Sequence, residues 1–245
     1  MPTILITGGS GMIGKALTAL LLENKFDVII LSRSNKNPVS GAKIAIWNIE
    51  KQEIDEDAIR QSDYIVHLAG ANVGEKRWTK TRKKEIVESR TKSSALIMKS
   101  LKEIPNKVRA VVSASGIGWY QETPGSNKPE VKRVETDPVD NSFLGDTCRQ
   151  WEESADPVTL MGKRLVKLRT GIVLSNEGGA FPEFKKPVKF GVAAVLGGGK
   201  QTISWIHLDD LCRIYLEMIT NEKLSGVYNA VAPQTVDNKT FTNEL

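Results

Sequence analysis

Thr7-Gly8-Gly9-Ser10-Gly11-Met12-Ile13-Gly14 joins an apolar run, Ile4-Leu5-Ile6, to a stretch in which Ile13, Ala16, Leu17, Leu20 and Leu21 recur at helical spacing. Glycine turns between strands and helices are common. Here the surrounding order of strand, turn and helix is the one a dinucleotide phosphate site requires. Gly8 permits the tight reversal, Gly11 lets backbone approach a pyrophosphate, and Gly14 lets the helix lie close on the strand. The helix N-terminus contributes N–H donors and a positive dipole. Gly8, Ser10, Gly11, Met12, Ile13 and Gly14 are therefore read as cofactor-binding.

The second apolar run, Val28-Ile29-Ile30-Leu31, ends in Ser32-Arg33-Ser34-Asn35-Lys36. A carboxylate at this place would accept hydrogen bonds from a ribose 2′-hydroxyl and repel a 2′-phosphate. Arg33 instead offers a planar fork suited to the phosphate, so the expected cofactor is NADP(H). The alternative for Arg33 is a plain solvent-facing side chain after a strand.

Further runs continue the alternation that a parallel sheet needs. Strands are expected at Lys43–Trp47, at Tyr64–Leu68 ending in Ala69-Gly70-Ala71, and at Arg109–Ser113 ending in Ser115-Gly116. A long crossover helix is expected over Lys83–Lys102. Gln121–Ser142 is polar, rich in Pro, Gly, Asn and acids, and reads as a mobile loop. Helical signal resumes at Phe143–Ala155, followed by a strand at Leu165–Arg169 continuing through Thr170–Ser175. Gly178–Gly199 shows little regular pattern and is assigned to a smaller lobe. Ile203–Leu211 leads into a further helix, and Gly226–Ala230 reads as the last strand. The fold class is α/β, a Rossmann-type doubly wound parallel sheet with a small C-terminal substrate-side lobe. Residues 1–175 are taken as the NADP(H)-binding domain, and 176–245 as the mixed lobe plus the last sheet strand.

A chain of 245 residues can bury a large core. Its two cysteines, Cys148 and Cys212, give neither a disulfide framework nor metal-ligand spacing. This points to a reducing, cytoplasmic compartment and to no metal. No basic segment followed by an apolar stretch of signal-peptide length follows Met1-Pro2, and no membrane association is expected. The net charge of +5 and the basic run Lys76–Lys84 invite a nucleic-acid reading. Only Trp78 is interleaved there, so a solvated helix face is expected instead, the basic balance suiting an anionic cofactor and substrate. Oligomeric state is not legible.

Taken together, Thr7–Gly14, Leu31-Ser32-Arg33, His67–Ala71, Ser89-Arg90, Ser113-Ala114-Ser115, Trp151-Glu152, Arg169–Ser175 and Ser204–Asp210 carry a resemblance. The chain resembles the extended and atypical short-chain dehydrogenase/reductases, in the NAD-dependent epimerase/dehydratase-like group labelled nucleotide-sugar epimerases. The resemblance covers nearly the whole chain, and members usually continue beyond the point matching Leu245. It implies that Leu68, Ala69, Gly70 and Ala71 line the cofactor ribose, and that Ser115 hydrogen-bonds a substrate carbonyl or hydroxyl. Without it, Ser115 reads equally as a turn or capping serine. His67 reads as a packed histidine, His207 as part of a capping network, and Asp209 and Asp210 as cap and first-turn acids.

The chain departs from the family at the catalytic Tyr-x-x-x-Lys. Four residues beyond Tyr64, Tyr120, Tyr215 and Tyr228 stand Leu68, Pro124, Ile219 and Ala232. Placing the family helix on Phe143–Glu152 puts Leu144 at the tyrosine's position and Cys148 at the lysine's. An aliphatic group transfers no proton, and an unperturbed phenol, with a pKa near ~10, is a poor base at neutral pH. Candidate replacements are Tyr120, otherwise a packing aromatic, and Cys148, otherwise a small buried residue. Glu152 reads first as a solvated or ion-paired helix residue. Two functions stay open. One is an NADP(H)-dependent oxidoreductase or epimerase acting on a small or nucleotide-linked hydroxyl or carbonyl compound. The other is a non-catalytic NADP(H)-binding sensor.

Overall fold

The computed structural model describes residues 1–35, 39–120, 132–188, 195 and 198–245. The apolar runs form β1 (Thr3–Thr7), β2 (Asp27–Ser32), β3 (Lys43–Asn48), β4 (Glu53–Ile54), β5 (Tyr64–His67), β6 (Ala110–Gly116) and β7 (Arg164–Thr170), in chain order. Between and after them lie α1 (Met12–Glu23), α2 (Glu56–Gln61), α3 (Lys80–Glu103), α4 (Phe143–Ala155) and α5 (Pro157–Leu160). A single 3-10 turn, Ile117–Trp119, follows β6. The remainder comprises β8 (Ile172–Leu174), α6 (Phe181–Val188), β9 (Thr202–Ile203), β10 (Trp205–His207), α7 (Leu208–Thr220), β11 (Gly226–Ala230), β12 (Val236–Asp237) and α8 (Asn238–Asn243).

Eight strands form one sheet in the order β11-β7-β6-β5-β1-β2-β3-β4, parallel except for the β3–β4 pairing. Successive residues of each strand point to opposite faces. Ile4, Ile6, Val28, Ile30, Val66, Val112 and Val166 therefore meet α1 and α7, through Leu17, Leu21, Leu211, Tyr215 and Ile219. Leu5, Ile29, Leu31, Ile65, Val111 and Leu165 meet α2, α3 and α5 through Ile59, Leu96, Ile97, Leu101 and Val158. Burial on both faces is why these strands read as unbroken apolar runs rather than as alternation. The strand order reverses between β1 and β5, so a crevice opens at their carboxyl ends, where Thr7 lies opposite His67.

Several expectations are refined. The crossover helix begins at Lys80, because the Thr79 side chain accepts from the Arg82 N–H. The basic run is only partly a solvated face. Arg82 is buried and paired with Glu75 and Glu85, and Lys83 lies over the Phe143 ring. Of the expected mobile loop, residues 121–131 lie outside the described residues. The rest, 132–142, has no helix or strand but is fastened down. Trp119 Nε1 donates to the Asp137 carbonyl, the Asp140 N–H donates to the Trp119 carbonyl, and the Asn229 N–H donates to Glu135.

The expected continuous strand through Ser175 breaks at Gly171. A Cβ there would lie 2.7 Å from the Ser204 carbonyl oxygen, and β8 leaves to pair with β10. Within the patternless stretch, sequence reading missed α6, which holds Pro187. Phe181 and Phe184 of α6 pack edge-on against Phe241 of α8, giving the smaller lobe an aromatic cluster of its own. Its remaining strands are the β9–β12 and β8–β10 pairs. After the lobe, α7 and β11 return to the main sheet. Among the described residues no helix is long and apolar enough to cross a membrane.

Candidate functional site on the carboxyl edge of the sheet

The glycine turn is fixed by contacts that a side chain would destroy. Gly8 sits at φ +71, and a Cβ on it would lie 3.0 Å from the Leu68 carbonyl group. The turn after β1 thus touches the turn after β5. A Cβ on Gly14 would lie 2.3 Å from the Gly8 oxygen and 2.6 Å from the Gly9 Cα, so the helix does lie against the turn. Ser10 and Gly11 are exposed. At Gly11 a Cβ would meet only the Gly8 oxygen, at 3.3 Å.

The start of α1 lacks the side-chain cap found at five other helix starts, as does the four-residue α5, which opens on Pro157. α2, α3, α4, α7 and α8 each have a side chain accepting from the first turn, from Asp55, Thr79, Ser142, His207 and Asp237 respectively. α1 begins at Gly11 with no side-chain cap and no acid in its first turn. Its leading N–H groups and positive dipole end are left for an anion. Arg33 is exposed just beyond β2, the strand next to β1. His207 itself caps α7, with Asp209 and Asp210 both in the first turn, so neither acid is the cap.

Thr7 holds the crevice together. Its Oγ1 accepts from the Leu68 and Ala69 N–H groups, both at 3.1 Å, and lies 2.8 Å from His67 Nδ1. With both lone pairs used, the hydroxyl hydrogen goes to Nδ1. That leaves the proton of a neutral imidazole on Nε2, facing Ser94 Oγ at 3.1 Å and Ser93 Oγ at 3.3 Å. Burial, helped by the nearby Arg90 charge, pushes the His67 pKa down to about 4. His67 is the packed, satisfied histidine expected. The loop Leu68–Ala71 is gripped from α3 as well. The Ala71 N–H donates to Ser89 Oγ, and Arg90 Nη1 donates to the Ala71 carbonyl.

Two strands along the same edge, Ser115 of β6 lies beside Arg169 of β7. Ser115 Oγ donates to Glu152 Oε1 at 2.7 Å, and Arg169 holds the same carboxylate with Nε at 2.8 Å and Nη2 at 3.1 Å. All three residues are buried. Burial alone would disfavour the Arg169 charge, but Glu152 and the Tyr120 hydroxyl hold its pKa above the ordinary value. Its guanidinium lies 3.7 Å from the Trp119 ring centroid. Arg169 Nη1 also donates to the Tyr120 hydroxyl, which in turn donates to Asn229. Lys167 bridges Asp156 and Glu152 at the edge of the cluster. Glu152 is thus ion-paired, as sequence allowed, but it is not solvated.

Leu144, Cys148 and Glu152 follow one another at single-turn spacing on α4. A Cβ on Gly118, just past β6, would lie 3.1 Å from Leu144 and 3.6 Å from Cys148. The positions where the resemblance puts tyrosine and lysine therefore do face the end of β6, carrying an aliphatic group and a thiol. Burial first, then Glu152, pushes the Cys148 thiol up to about 11, and it donates to the Gly116 carbonyl. Held protonated across the neutral range, the thiol does not act as a general base there and enters proton transfer only as a donor. Tyr120, the second candidate, is buried with both hydrogen-bonding directions occupied. Sequence reasoning missed Arg169 as a site residue and missed the joining of Glu152 to Ser115. Among the described residues there is no cluster of acids, histidines and cysteines able to hold a metal ion.

Comparisons with known proteins fit this geometry. The model of the NAD dependent epimerase/dehydratase family matches residues 4–143. An epimerase family protein of Mycobacterium leprae is 34% identical over 239 residues, covering 98% of this chain and 75% of that protein. One from Staphylococcus saprophyticus is 37% identical over 238 residues, covering 95% and 76%. Among solved structures, the nucleoside-diphosphate sugar epimerase from Corynebacterium glutamicum superposes with a TM-score of 0.82 at 33% identity. The match covers 99% of this chain and 49% of that one, so the chain spans about half its length. A human epimerase family protein determined with NADPH superposes with a TM-score of 0.82 at 29% identity, covering 98% and 77%.

Proposed function

The chain belongs to the NAD-dependent epimerase/dehydratase family, and on that premise we propose that it binds NADP(H) across the β1–β5 crevice and acts as an oxidoreductase or epimerase on a hydroxyl or carbonyl group of a small or nucleotide-linked compound. The residues present fit such a cofactor. The uncapped start of α1 suits the pyrophosphate, the loop Leu68–Ala71 suits a ribose, and Arg33 suits a 2′-phosphate. When bound, the nicotinamide supplies the hydride chemistry.

The observation that carries the chemical reading is the buried Ser115–Glu152–Arg169 unit. The only hydrogen on Ser115 Oγ is committed to Glu152, so its lone pairs are left to accept from a substrate hydroxyl. During oxidation of an alcohol the substrate O–H proton passes to Ser115 Oγ as the Ser115 proton passes to Glu152 Oε1. Arg169 keeps the carboxylate aligned for this. In the reverse direction Ser115 donates to the forming alkoxide. Tyr120, bridging Arg169 and Asn229, is the alternative proton partner. The non-catalytic sensor reading draws its support from Leu144 and Cys148 standing where the family's catalytic pair belongs. In that reading cofactor binding acts on the segment 132–142, which Arg169 holds through the Glu135 carbonyl.

The test is hydride exchange. Protein and NADPH deuterated at the transferable position are incubated with a metabolite extract, and products are followed by mass spectrometry. Label appearing in a metabolite only with active protein establishes a reductase and identifies its substrate. Label exchanged without net oxidation indicates epimerase chemistry. Tight NADPH binding with no movement of label selects the sensor reading.

A further inference from the structure

Three arginines are buried among the described residues, and they are not equivalent. Arg82 is paired with Glu75 and Glu85, and Arg169 with Glu152. Arg90, reaching from α3, has no carboxylate within ion-pair distance among the described residues. Its hydrogen bonds there both leave from Nη1, to the Ala71 carbonyl at 3.1 Å and the Ile86 carbonyl at 2.8 Å. Nε and Nη2 donate to none of the described residues. A buried guanidinium without a counter-charge is costly unless something else completes its shell. Burial does hold its pKa down at about 10, which still leaves it charged at neutrality.

Its place in the site is specific. A Cβ on Gly70 would lie 3.0 Å from Arg90 Cζ, so the guanidinium packs against the loop after β5 where Gly70 has no side chain. On its other side it lies 4.7 Å from the centroid of the Trp151 ring on α4. One turn back on α4 is Cys148, where the family pattern has its lysine, and the two groups are close enough to influence each other's titration. A cation therefore stands against α4 one turn from Cys148, supplied by a different helix.

We propose that Arg90, packed between the loop after β5 and α4, holds the nicotinamide-ribose half of the cofactor through ribose hydroxyls or the adjoining phosphate. A guanidinium suits this better than an ammonium would, because Nη1 stays bonded to the loop while Nε and Nη2 present a parallel pair of donors. This inference rests on the NADP(H) reading, and its test separates the two.

The experiment compares NADPH with adenosine 2′,5′-bisphosphate, which carries the adenosine half alone, by isothermal titration. In Arg90→Met the NADPH dissociation constant is expected to rise about tenfold or more, the loss of one charge-assisted hydrogen bond. Binding of the bisphosphate is expected to stay as in wild type, and Arg90→Lys to recover part of the NADPH loss. Equal losses for both ligands would make Arg90 a loop clamp only, and no loss for either would remove it from the site. Both outcomes overturn the proposal. Wild-type protein that binds neither ligand overturns the cofactor reading and this inference with it. Should Arg90→Met not fold, the Nε–H resonance of Arg90 in 15N-arginine-labelled wild type decides. It shifts with NADPH and not with the bisphosphate, or the assignment is wrong.

Discussion

Along one edge of the sheet, the crevice between β1 and β5 is lined by backbone, while the cluster at β6 and β7 is made of side chains. At the first, the constraints fall on residues that must lack a side chain, Gly8 and Gly14. At the second they fall on residues that must find one another, Ser115, Glu152, Arg169, Tyr120 and Asn229. The difference predicts opposite tolerances. A backbone cradle resists any substitution at a few positions, whereas a side-chain cluster resists single substitutions and accepts concerted ones.

The sharpest way to break the comparison is Glu152→Ala. It strands a buried guanidinium and a serine hydroxyl, and should cost about 3–5 kcal/mol in urea unfolding. The joint change of Glu152→Met with Arg169→Met should recover much of that loss, as buried ion pairs replaced by apolar residues often do. If the single substitution costs less than about 1 kcal/mol, the cluster is not the buried network described. NADPH binding, set by the other end of the edge, should survive in the joint variant.

A second effect tests the crevice side. His67 is neutral in the fold with a pKa near 4, whereas an unfolded histidine binds its proton near 6.5. Between those values the unfolded chain carries the extra proton, so stability should fall as pH is lowered from 6.5 to 4, by roughly 3 kcal/mol from this group. Above pH 6.5 its contribution is flat. Unfolding free energies of wild type and His67→Gln across pH 4–7 isolate the term. A slope that is the same in both proteins contradicts it.

The smallest effect concerns the cofactor's outer end. Arg33→Asp should lower the preference for NADPH over NADH by roughly tenfold or more, read as the ratio of the two dissociation constants. An unchanged ratio removes Arg33 from the 2′-phosphate site.

The same contrast explains what was legible in the sequence. Ile4–Gly14 announces its structure because strand, turn and helix are local and because glycine is the only residue that fits. The longer parallel strands were readable as elements because each is an apolar run buried on both faces; their order in the sheet was not. Arg169 was hidden in a strand among ordinary charges, and nothing near it in the chain signals that β7 lies next to β6. Glu152, on an amphipathic helix rich in exposed acids, looked like its neighbours until Ser115 and Arg169 arrived from two strands. The small sheets were missed because strands of two or three residues carry too little pattern. α6 was missed because Pro182 and Pro187 hide it.

The saturated hydroxyl of Thr7 has a kinetic and evolutionary side. With two donors received and one hydrogen given, it has no capacity left for water, and it ties the end of β1 to the loop after β5 by bonds that water does not replace one at a time. If the crevice takes the proposed cofactor, walls joined in advance in this way lose little affinity to ordering on binding. Serine could hold the same three bonds. Valine, identical in outline, would leave two amides and an imidazole without a partner. Drift at this position should therefore follow hydrogen-bonding chemistry rather than shape.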